Sequence, residues 1–372
     1  MVLACLRRHA GVSLVRAQLQ LRPGALDVVP RRRPAARHRE RLCQGDRPRG
    51  DGRDQNAGGR LRRGRANRRD LGERGHTVKS LAGILAPIST PFREDEEVDF
   101  AALEENLAAY ARSGILGYLA LGSNGESKSL TEEEKVAVLR TIVAGRAPGQ
   151  VVMAGAAYEA QRDTERFFVA AAEAGADFGL LLSPSYFRKQ MTDEVLFRYF
   201  TTTADRAPLP LLVYNAPGFT GVSLSPALVE RLAAHPNIIG MKDSAPSGIE
   251  AFLALESRSF HVLAGSVNFL FPAMMGGSLG GTVSLANAFP ELAQRLYHYG
   301  VERDLVAGPP YQDFCRRLNE AISGAYGVPG VKAAMSLAGL KGGLPRRPLL
   351  PLVPEQLRSL QEALAAEGVI DG

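Results

Sequence analysis

The sequence predicts an α/β fold, a (β/α)8 TIM barrel followed by a C-terminal helical appendix. Short apolar runs alternate with longer amphipathic stretches between residues 83 and 299, and eight such pairs can be counted. The apolar runs are continuous rather than alternating, which is typical of parallel strands that are buried on both faces. Eight strands that are each followed by a helix match the barrel.

The predicted strands are the short apolar runs, which span 83–90, 117–122, 151–156, 178–183, 210–215, 238–243, 260–266 and 280–285. The predicted helices are the longer stretches at 99–112, from 131 onward, and at 160–174, 193–205, 225–234, 247–256, 267–276 and 289–299. Thr131 and Glu134 have the spacing of a capping box, which marks the start of the second helix. Three further helices, at 302–323, 329–339 and 354–367, form the C-terminal appendix.

A doubly wound open sheet is the main alternative fold. Such a sheet carries a glycine-rich dinucleotide fingerprint after its first strand, and "GILAPISTPF" (83–92) has none. The glycine-rich stretch "GGSLGG" (276–281) precedes a predicted strand, so it is not a phosphate-binding loop. The barrel is therefore the favoured architecture.

Residues 1–78 differ in composition from the rest of the chain. They contain 20 Arg, no Lys and 7 acidic residues, a formal charge of +13, while the remaining residues carry −7, giving the chain its +6. Such a stretch buries too little apolar surface to offset its chain entropy, so we predict disorder. Three interpretations stay open: a spurious extension from an upstream start codon, a transit peptide, and a nucleic-acid-binding tail. We assign 79–300 to the barrel and 301–372 to the appendix.

The remaining composition excludes several classes of protein. The mildly acidic body argues against nucleic-acid binding by the whole protein, and no run of about 18 apolar residues predicts a membrane span. Cys315 is the one cysteine after residue 78, so the body has no internal disulfide. These features favour the cytoplasm, or the mitochondrial matrix if the N-terminal segment is a genuine transit peptide.

Candidate active-site residues lie where the predicted strands end, because barrel enzymes build their sites at the carboxyl ends of the strands. The polar and glycine residues at these positions are Thr90, Ser123, Asn124, Tyr186, Tyr214, Asn215, Lys242, Ser244, Gly265 and Thr282.

Lys242 is unusual among the seven lysines of the chain, because it alone lies inside an apolar strand, "NIIGMKDS" (237–244). Burial disfavours the charged form of an amine. A buried lysine is thus a candidate nucleophile that attacks a ketone carbonyl and forms an imine. The plainer alternative is a lysine that pairs with Asp243 and reaches solvent.

Two neighbouring positions suit the same chemistry. Tyr214 ends the preceding strand, and adjacent strands are about 5 Å apart, so its phenol is a candidate proton carrier for Lys242. The turn "GSNGES" (122–127) presents successive backbone amides that suit a carboxylate, and Ser123 is placed to relay protons to Tyr214. An ordinary half-buried tyrosine and a plain tight turn are the alternatives.

Other catalytic classes find little support in the sequence. The histidines of the body, His235, His261 and His298, are far apart in the chain, and no cluster of His, Asp and Glu has metal-ligand spacing. No P-loop or nucleophile elbow occurs either. We predict no metal and no cofactor.

Several spaced motifs resemble the dihydrodipicolinate synthase / N-acetylneuraminate lyase superfamily of pyruvate-handling barrels. The motifs occur in the family's order across residues 80–370; they are "STPF" (89–92), "GSNGE" (122–126), "SPSY" (183–186), "YNAPGFTG" (214–221), "GMKDS" (240–244), "VLAGS" (262–266) and "GGTVSLAN" (280–287). The resemblance implies that Lys242 is the imine lysine and Tyr214 the catalytic tyrosine. It also implies that Tyr186 completes the proton relay of a neighbouring subunit.

The resemblance extends to the substrate site. It implies that Ser123 and Asn124 bind the pyruvate carboxylate, and that Ser244 and Gly265 contact substrate as in 4-hydroxy-2-oxoglutarate aldolases. Thr282, one of the polar residues assigned to the strand ends, is also a predicted substrate-binding residue.

Two departures from the family pattern bear on the substrate. Dihydrodipicolinate synthases usually have Thr-Thr where this chain has Ser123-Asn124, and an arginine that holds the aldehyde's carboxylate where this chain has Phe219. "GSNGE", "HPNIIGMKDS" and the tail "YGVPGVKAAM…GGLPRRPLLPL" instead resemble the 4-hydroxy-2-oxoglutarate aldolase branch.

The predicted function is a class I, Schiff-base aldolase whose partners are pyruvate, as the 2-oxo acid, and an aldehyde. The first substrate hypothesis is 4-hydroxy-2-oxoglutarate, cleaved to pyruvate and glyoxylate. Condensation of pyruvate with aspartate semialdehyde is second, and a sugar-acid aldolase or dehydratase is third. The alternatives outside catalysis are a metabolite-sensing barrel and nucleic-acid binding by residues 1–78. The resemblance implies a homotetramer or homodimer.

Overall fold

The structure, a computed structural model, describes residues 79–371 and contains the predicted eight-stranded barrel. The strands pair in parallel and in chain order, and β8 pairs with β1 to close the barrel. They are β1 (Gly83–Ala86), β2 (Gly117–Ala120), β3 (Val151–Ala156), β4 (Phe178–Leu182), β5 (Leu211–Asn215), β6 (Ile238–Asp243), β7 (His261–Ala264) and β8 (Gly280–Thr282). The predicted fold class is thus confirmed, while the predictions for residues 1–78 lie outside the described residues.

Twelve α-helices of the described residues surround and follow the strands. They are α1 (Phe100–Tyr110), α2 (Glu132–Gly145), α3 (Gln161–Glu173), α4 (Asp193–Arg206), α5 (Pro217–Thr220), α6 (Pro226–Ala233), α7 (Glu250–Leu253), α8 (Leu270–Met275), α9 (Pro290–Glu302), α10 (Gly308–Asn319), α11 (Ala325–Leu337) and α12 (Pro354–Ala366). The predicted capping box begins α2: the Thr131 hydroxyl accepts from the amide of Glu134, and the Glu134 carboxylate accepts from the amide of Thr131. Among the described residues, no helix has the length and apolar character needed to cross a membrane.

Strand side chains alternate between two apolar layers, and this alternation places the site residues. Leu212 and Tyr214 belong to a small cluster inside the barrel. Leu211 and Val213, one residue away, belong to the larger layer between strands and helices. Because successive side chains of a strand point to opposite faces, residues in step with Tyr214 face the barrel interior.

The predicted helix at 302–323 is wrong in its first part. Helix α9 continues to Glu302 and ends where Arg303 adopts a left-handed conformation, with φ of 54°. Helix α10 then begins at Gly308 and carries prolines in its first turn, a position where the missing N–H costs no hydrogen bond. The predicted helix at 247–256 shortens to the four residues of α7.

The C-terminal helices share the apolar layer of the barrel helices. Cys315 of α10, Met335 of α11 and Leu360 of α12 are buried in that layer. Helix α11 bends at Gly327, whose φ of 58° is outside the helical region, just before Pro329. Val328, between these two residues, lines a cavity in the barrel.

Candidate active site

A cavity of about 310 Å³ lies at the carboxyl ends of β2 to β5. This volume is at the small end of the range for ligand sites, which suits a small metabolite. The loops after the strands supply most of its lining, and the C-terminal region adds two apolar residues. The lining residues are Leu121, Gly122, Ser123, Glu126, Ser127, Lys128, Ser129, Gly155, Ala156, Ala157, Leu180, Leu182, Ser185, Tyr214, Phe219, Thr220, Val328 and Leu349.

Tyr214 and Lys242 are direct neighbours on β5 and β6. Their Cα atoms are register partners, so both side chains face the barrel interior. The Lys242 Nζ lies 4.1 Å from the centre of the Tyr214 ring, and the two residues are only 5% and 6% exposed. Tyr214 lines the cavity, and Lys242 stands against its ring without itself lining the cavity.

The plainer interpretation of Lys242 is wrong, because the lysine is buried and Asp243 faces the other way. The Asp243 Oδ1 accepts a hydrogen bond of 2.7 Å from Asn215 Nδ2, and these two residues are also register partners. Burial raises the pKa of the Asp243 carboxyl, against the hydrogen bonds from Ala245 and Asn215. Asn215 therefore supports the strand ends and is not itself a cavity residue.

The Tyr214 phenol is surrounded by groups that stabilise its ionised form. The Ser244 hydroxyl donates to the phenolic oxygen at 3.2 Å. Burial alone would raise the pKa of Tyr214, but the Lys242 charge and hydrogen bonds from Ser244, Lys242 and Ser123 lower it below the ordinary value for tyrosine. A phenol of this kind can both give and take a proton at an accessible pH.

We expect Tyr214 to ionise at a pH below about 10, the ordinary value for a phenol, because the surrounding donors stabilise the phenolate. The chain contains no Trp, so phenolate absorbance can be followed directly, and the difference between wild type and Tyr214→Phe isolates this residue. Ser244→Ala should raise the midpoint, because a hydrogen bond to the charged form is lost. Ser257→Ala, which removes a hydroxyl remote from the cavity, should not move it. A midpoint at or above the ordinary value would contradict the arrangement.

The turn after β2 exposes Ser123 to the cavity while its other members are buried. The amides of Gly125 and Glu126 donate within the turn. Within residues 79–371 the amides of Ser123 and Asn124 have no acceptor, so both are free to donate to a ligand, and their binding of a carboxylate stays a prediction. The Asn124 side chain is occupied, since its Nδ2 donates to Ser284 Oγ at 2.8 Å. Thr90 supports the turn through a 2.9 Å bond from its hydroxyl to the Gly125 carbonyl.

Of three other predicted site residues, Ser244 contacts the phenol and Gly265 contacts Ser244, while Thr282 lies on β8. The Ser244 hydroxyl is 3.3 Å from the Gly265 carbonyl oxygen. A Cβ at Gly265 would lie 2.0 Å from that hydroxyl, so only glycine leaves Ser244 in place. Thr282 pairs with Leu85, a residue of the interior cluster. Its buried hydroxyl has no hydrogen-bond partner in the described part of the chain.

Two aromatic residues near the cavity behave differently. Phe219 is 69% exposed and lines the cavity, so an apolar ring occupies this part of the wall. Tyr186 is 80% exposed, stacks edge-to-face on Phe187, and does not line the cavity. One chain therefore does not bring Tyr186 to Tyr214, and its role in a neighbouring subunit stays a prediction.

Sequence reasoning missed a buried ion pair beneath the turn. Glu126 has a left-handed backbone, with φ of 51°, and its carboxylate lies 2.6 Å from the Lys332 ammonium, each side chain being 1% exposed. Lys332 also donates to the carbonyls of Thr90 and Leu344, and Arg346 donates its amide to Glu126. Glu126 and Lys332 stand within quoted family motifs, yet their pairing across 206 positions had no local signal.

Lys128 was also missed, because a lysine in a loop is usually a solvated surface residue. It follows the turn directly and lines the cavity. For metals, no group of three or more His, Cys, Asp or Glu side chains gathers into a possible site within residues 79–371.

Comparisons with known proteins identify the family of the chain. Residues 80–367 match the dihydrodipicolinate synthetase family. A protein of Xanthomonas axonopodis pv. citri named 4-hydroxy-tetrahydrodipicolinate synthase is 35% identical, over 78% of this chain and 97% of that one. A protein of Emericella nidulans named as a mitochondrial 4-hydroxy-2-oxoglutarate aldolase is 31% identical, over 77% and 94%.

Among solved structures, YagE from E. coli K12, a protein of the dihydrodipicolinic acid synthase family crystallised with pyruvate, superposes with a TM-score of 0.73. It is 26% identical, and the match covers 78% of this chain and 99% of that one. The relatives carry the names of synthases and of aldolases, so they agree on a lyase and differ on its substrate. The chain belongs to the dihydrodipicolinate synthetase family.

Proposed function

We propose that this chain, a class I aldolase or lyase of its family, cleaves 4-hydroxy-2-oxoglutarate to pyruvate and glyoxylate through an imine on Lys242. The observation that carries the proposal is the pairing of Lys242 with Tyr214 on adjacent strands at the cavity. An amine sheltered from water beside a phenol of lowered pKa is the arrangement that imine chemistry needs.

In the first stage the Lys242 amine adds to the keto carbon of the substrate. Tyr214 gives a proton to the carbonyl oxygen and takes one from the attacking nitrogen, which yields a neutral carbinolamine. A second proton from Tyr214 lets water depart, leaving a protonated imine and a Tyr214 phenolate. The hydrogen bond from Ser244 and the Ser123 contact stabilise that phenolate.

In the second stage the phenolate takes the proton of the hydroxyl on C4. The C3–C4 bond breaks, its electron pair moves toward the imine nitrogen, and glyoxylate leaves an enamine behind. Tyr214 returns the proton to C3, and water then hydrolyses the imine to pyruvate and the free amine. The amides of Ser123 and Asn124 hold the carboxylate beside the keto group throughout. The proposed cycle uses no metal and no organic cofactor.

The choice of substrate rests on Phe219 and on the turn. Phe219 occupies the position of the family's arginine and lines the cavity, so the anchor that synthases offer to aspartate semialdehyde is replaced by an apolar ring. The 35% identity to the Xanthomonas synthase keeps condensation with aspartate semialdehyde as the second candidate.

The test is pyruvate release by the full chain from a panel of 4-hydroxy-2-oxo acids, followed by coupled reduction of pyruvate. We expect kcat/KM for 4-hydroxy-2-oxoglutarate to exceed that for sugar-acid substrates by about tenfold or more, the effect of one well-placed polar contact. Consumption of pyruvate with aspartate semialdehyde is measured in parallel. A larger kcat/KM for that condensation would overturn the substrate proposal and leave the imine chemistry standing.

We also propose an assembly of at least two copies, a homodimer or homotetramer, because exposed Tyr186 would then have a site to complete. A reducing compartment fits the single, buried Cys315 among the described residues. The cytoplasm is the first candidate, and the name of the Emericella relative keeps the mitochondrial matrix as the second.

A further inference from the structure

The cavity carries a positive charge that the proposed chemistry does not use. Lys128 is the one cationic side chain among the lining residues, judged over residues 79–371. It lies in a short 3-10 helix, Ser127–Ser129, directly after the turn that presents Ser123. The cavity therefore offers two places for an anion on one continuous segment: the free amides of the turn and the Lys128 ammonium.

The Lys128 ammonium is held in place by one hydrogen bond, and its other N–H donors remain free within the described residues. Its Nζ donates to the carbonyl oxygen of Ala157, directly after the neighbouring strand β3, which uses one of its three N–H donors. Partial burial at the cavity wall lowers the pKa of Lys128, although the charge of Glu159 raises it. Lys128 is exposed overall, so its ammonium can be reached by an anion that enters the cavity, and its charge attracts that anion.

The nearby carboxylates are already occupied. Glu126 lines the cavity but forms the buried pair with Lys332. The Glu159 oxygens accept from the Ser185 amide and hydroxyl and from the Tyr186 amide. Neither carboxylate forms an ion pair with Lys128 within the described residues. An anionic group that enters the cavity thus meets a cation with free donors.

We infer that Lys128 binds the distal carboxylate of a dicarboxylic 2-oxo acid and so makes the site selective for dicarboxylates. This inference rests on the proposed function, because it assigns the second anionic group of that substrate. Phe219 supplies no charge at the position where family synthases have an arginine in the loop after β5. In this chain the cation that binds the second carboxylate is instead Lys128, in the segment after β2. A monocarboxylic 2-oxo acid leaves Lys128 without a partner.

The test uses unreactive 2-oxo acids, so it does not depend on which aldol substrate is correct. The full chain is incubated with 2-oxoglutarate or with pyruvate, the imine is reduced with borohydride, and the adduct is measured by intact mass. Lys128→Met should raise the half-saturating concentration of 2-oxoglutarate by about 10- to 100-fold, the loss of one charge-assisted hydrogen bond. The half-saturating concentration of pyruvate should stay within about twofold, since pyruvate has no second carboxylate.

Two further variants separate charge from structure. Lys128→Arg keeps the cation and should retain most of the preference for 2-oxoglutarate. Lys189→Met removes the same charge from an exposed position outside the cavity and should change neither ligand. Equal losses for both ligands in Lys128→Met, or no loss for either, would overturn the inference while leaving the aldolase proposal intact. Absence of any adduct in the wild type would overturn the aldolase proposal itself.

Discussion

Replacing Lys242 with alanine should lower the rate of pyruvate release by about 10⁴-fold or more, the scale on which enzymes lose activity with their covalent nucleophile. The amine is buried between β5 and β6, and Tyr214 lies against it. No other described lysine takes this place, because Lys332 is paired with Glu126 beneath the turn and Lys128 donates to the Ala157 carbonyl after β3. Arginine is no substitute, since its guanidinium stays protonated and forms no imine.

Borohydride reduction in the presence of pyruvate provides the second measurement. The wild-type chain should gain the mass of one reduced pyruvate adduct on the peptide that contains Lys242, and Lys242→Ala and Lys242→Arg should gain none. Lys189→Ala is the matched control, because this lysine is exposed and should leave both turnover and adduct unchanged. Full turnover in Lys242→Ala, or loss of wild-type turnover on addition of a chelator, would contradict the mechanism.

Replacing Glu126 with glutamine should lower the free energy of unfolding by about 3 kcal/mol, because it leaves the Lys332 ammonium buried without a counter-charge. The two side chains are 2.6 Å apart and almost fully buried. Burial lowers the pKa of Lys332 to about 8, while Glu126 acts to raise it. Without Glu126 the amine can shed its proton, which limits the loss to the low end of the range for broken buried pairs, about 3–5 kcal/mol.

Urea unfolding of Glu126→Gln, Lys332→Met and the double variant measures the coupling between the two residues. We expect the double variant to lose less stability than the two single losses added together, by about 2 kcal/mol, because it leaves no unpaired charge. Glu105→Gln breaks an exposed pair with Lys341 at 3.5 Å and should cost less than about 1 kcal/mol. Strict additivity of the two buried changes would show that the pair does not act as a unit.

The fold could be predicted from the sequence because the parallel strands of a barrel are buried on both faces and therefore appear as continuous apolar runs. Lys242 and Tyr214 were predictable for the same reason: one interrupts such a run and the other ends the neighbouring one. Strand ends were less predictable. The predicted strand at 280–285 stops at Thr282, and a short 3-10 helix, Ser284–Asn287, takes its place. Ser284 lies in this 3-10 helix and accepts a hydrogen bond from the Asn124 side chain. Such a supporting contact cannot be predicted from the sequence pattern.

The site residues that the sequence did not reveal depend on distant parts of the chain. Lys332 is a helix lysine with ordinary neighbours, and only the folded structure buries it against Glu126. Lys128 is a loop lysine, and its place in the cavity depends on how the wall at Ala157 folds toward it. A local sequence pattern identifies a residue that is unusual within its own segment. It does not identify a residue whose role depends on a partner in a distant segment of the chain.

The link between Glu126 and Lys332 also sets an order of events during synthesis. During synthesis, β2 and its turn are made long before α11. The carboxylate of Glu126 therefore has no counter-charge until Lys332 has been translated. Arg346, which donates its amide to the same carboxylate, emerges later still. A barrel truncated after its eighth strand would contain Lys242 and Tyr214, the residues proposed for the imine chemistry, but it would lack Lys332, the counter-charge of Glu126. Such a truncated chain is expected to lose the stability that the buried pair of Glu126 and Lys332 gives to the turn.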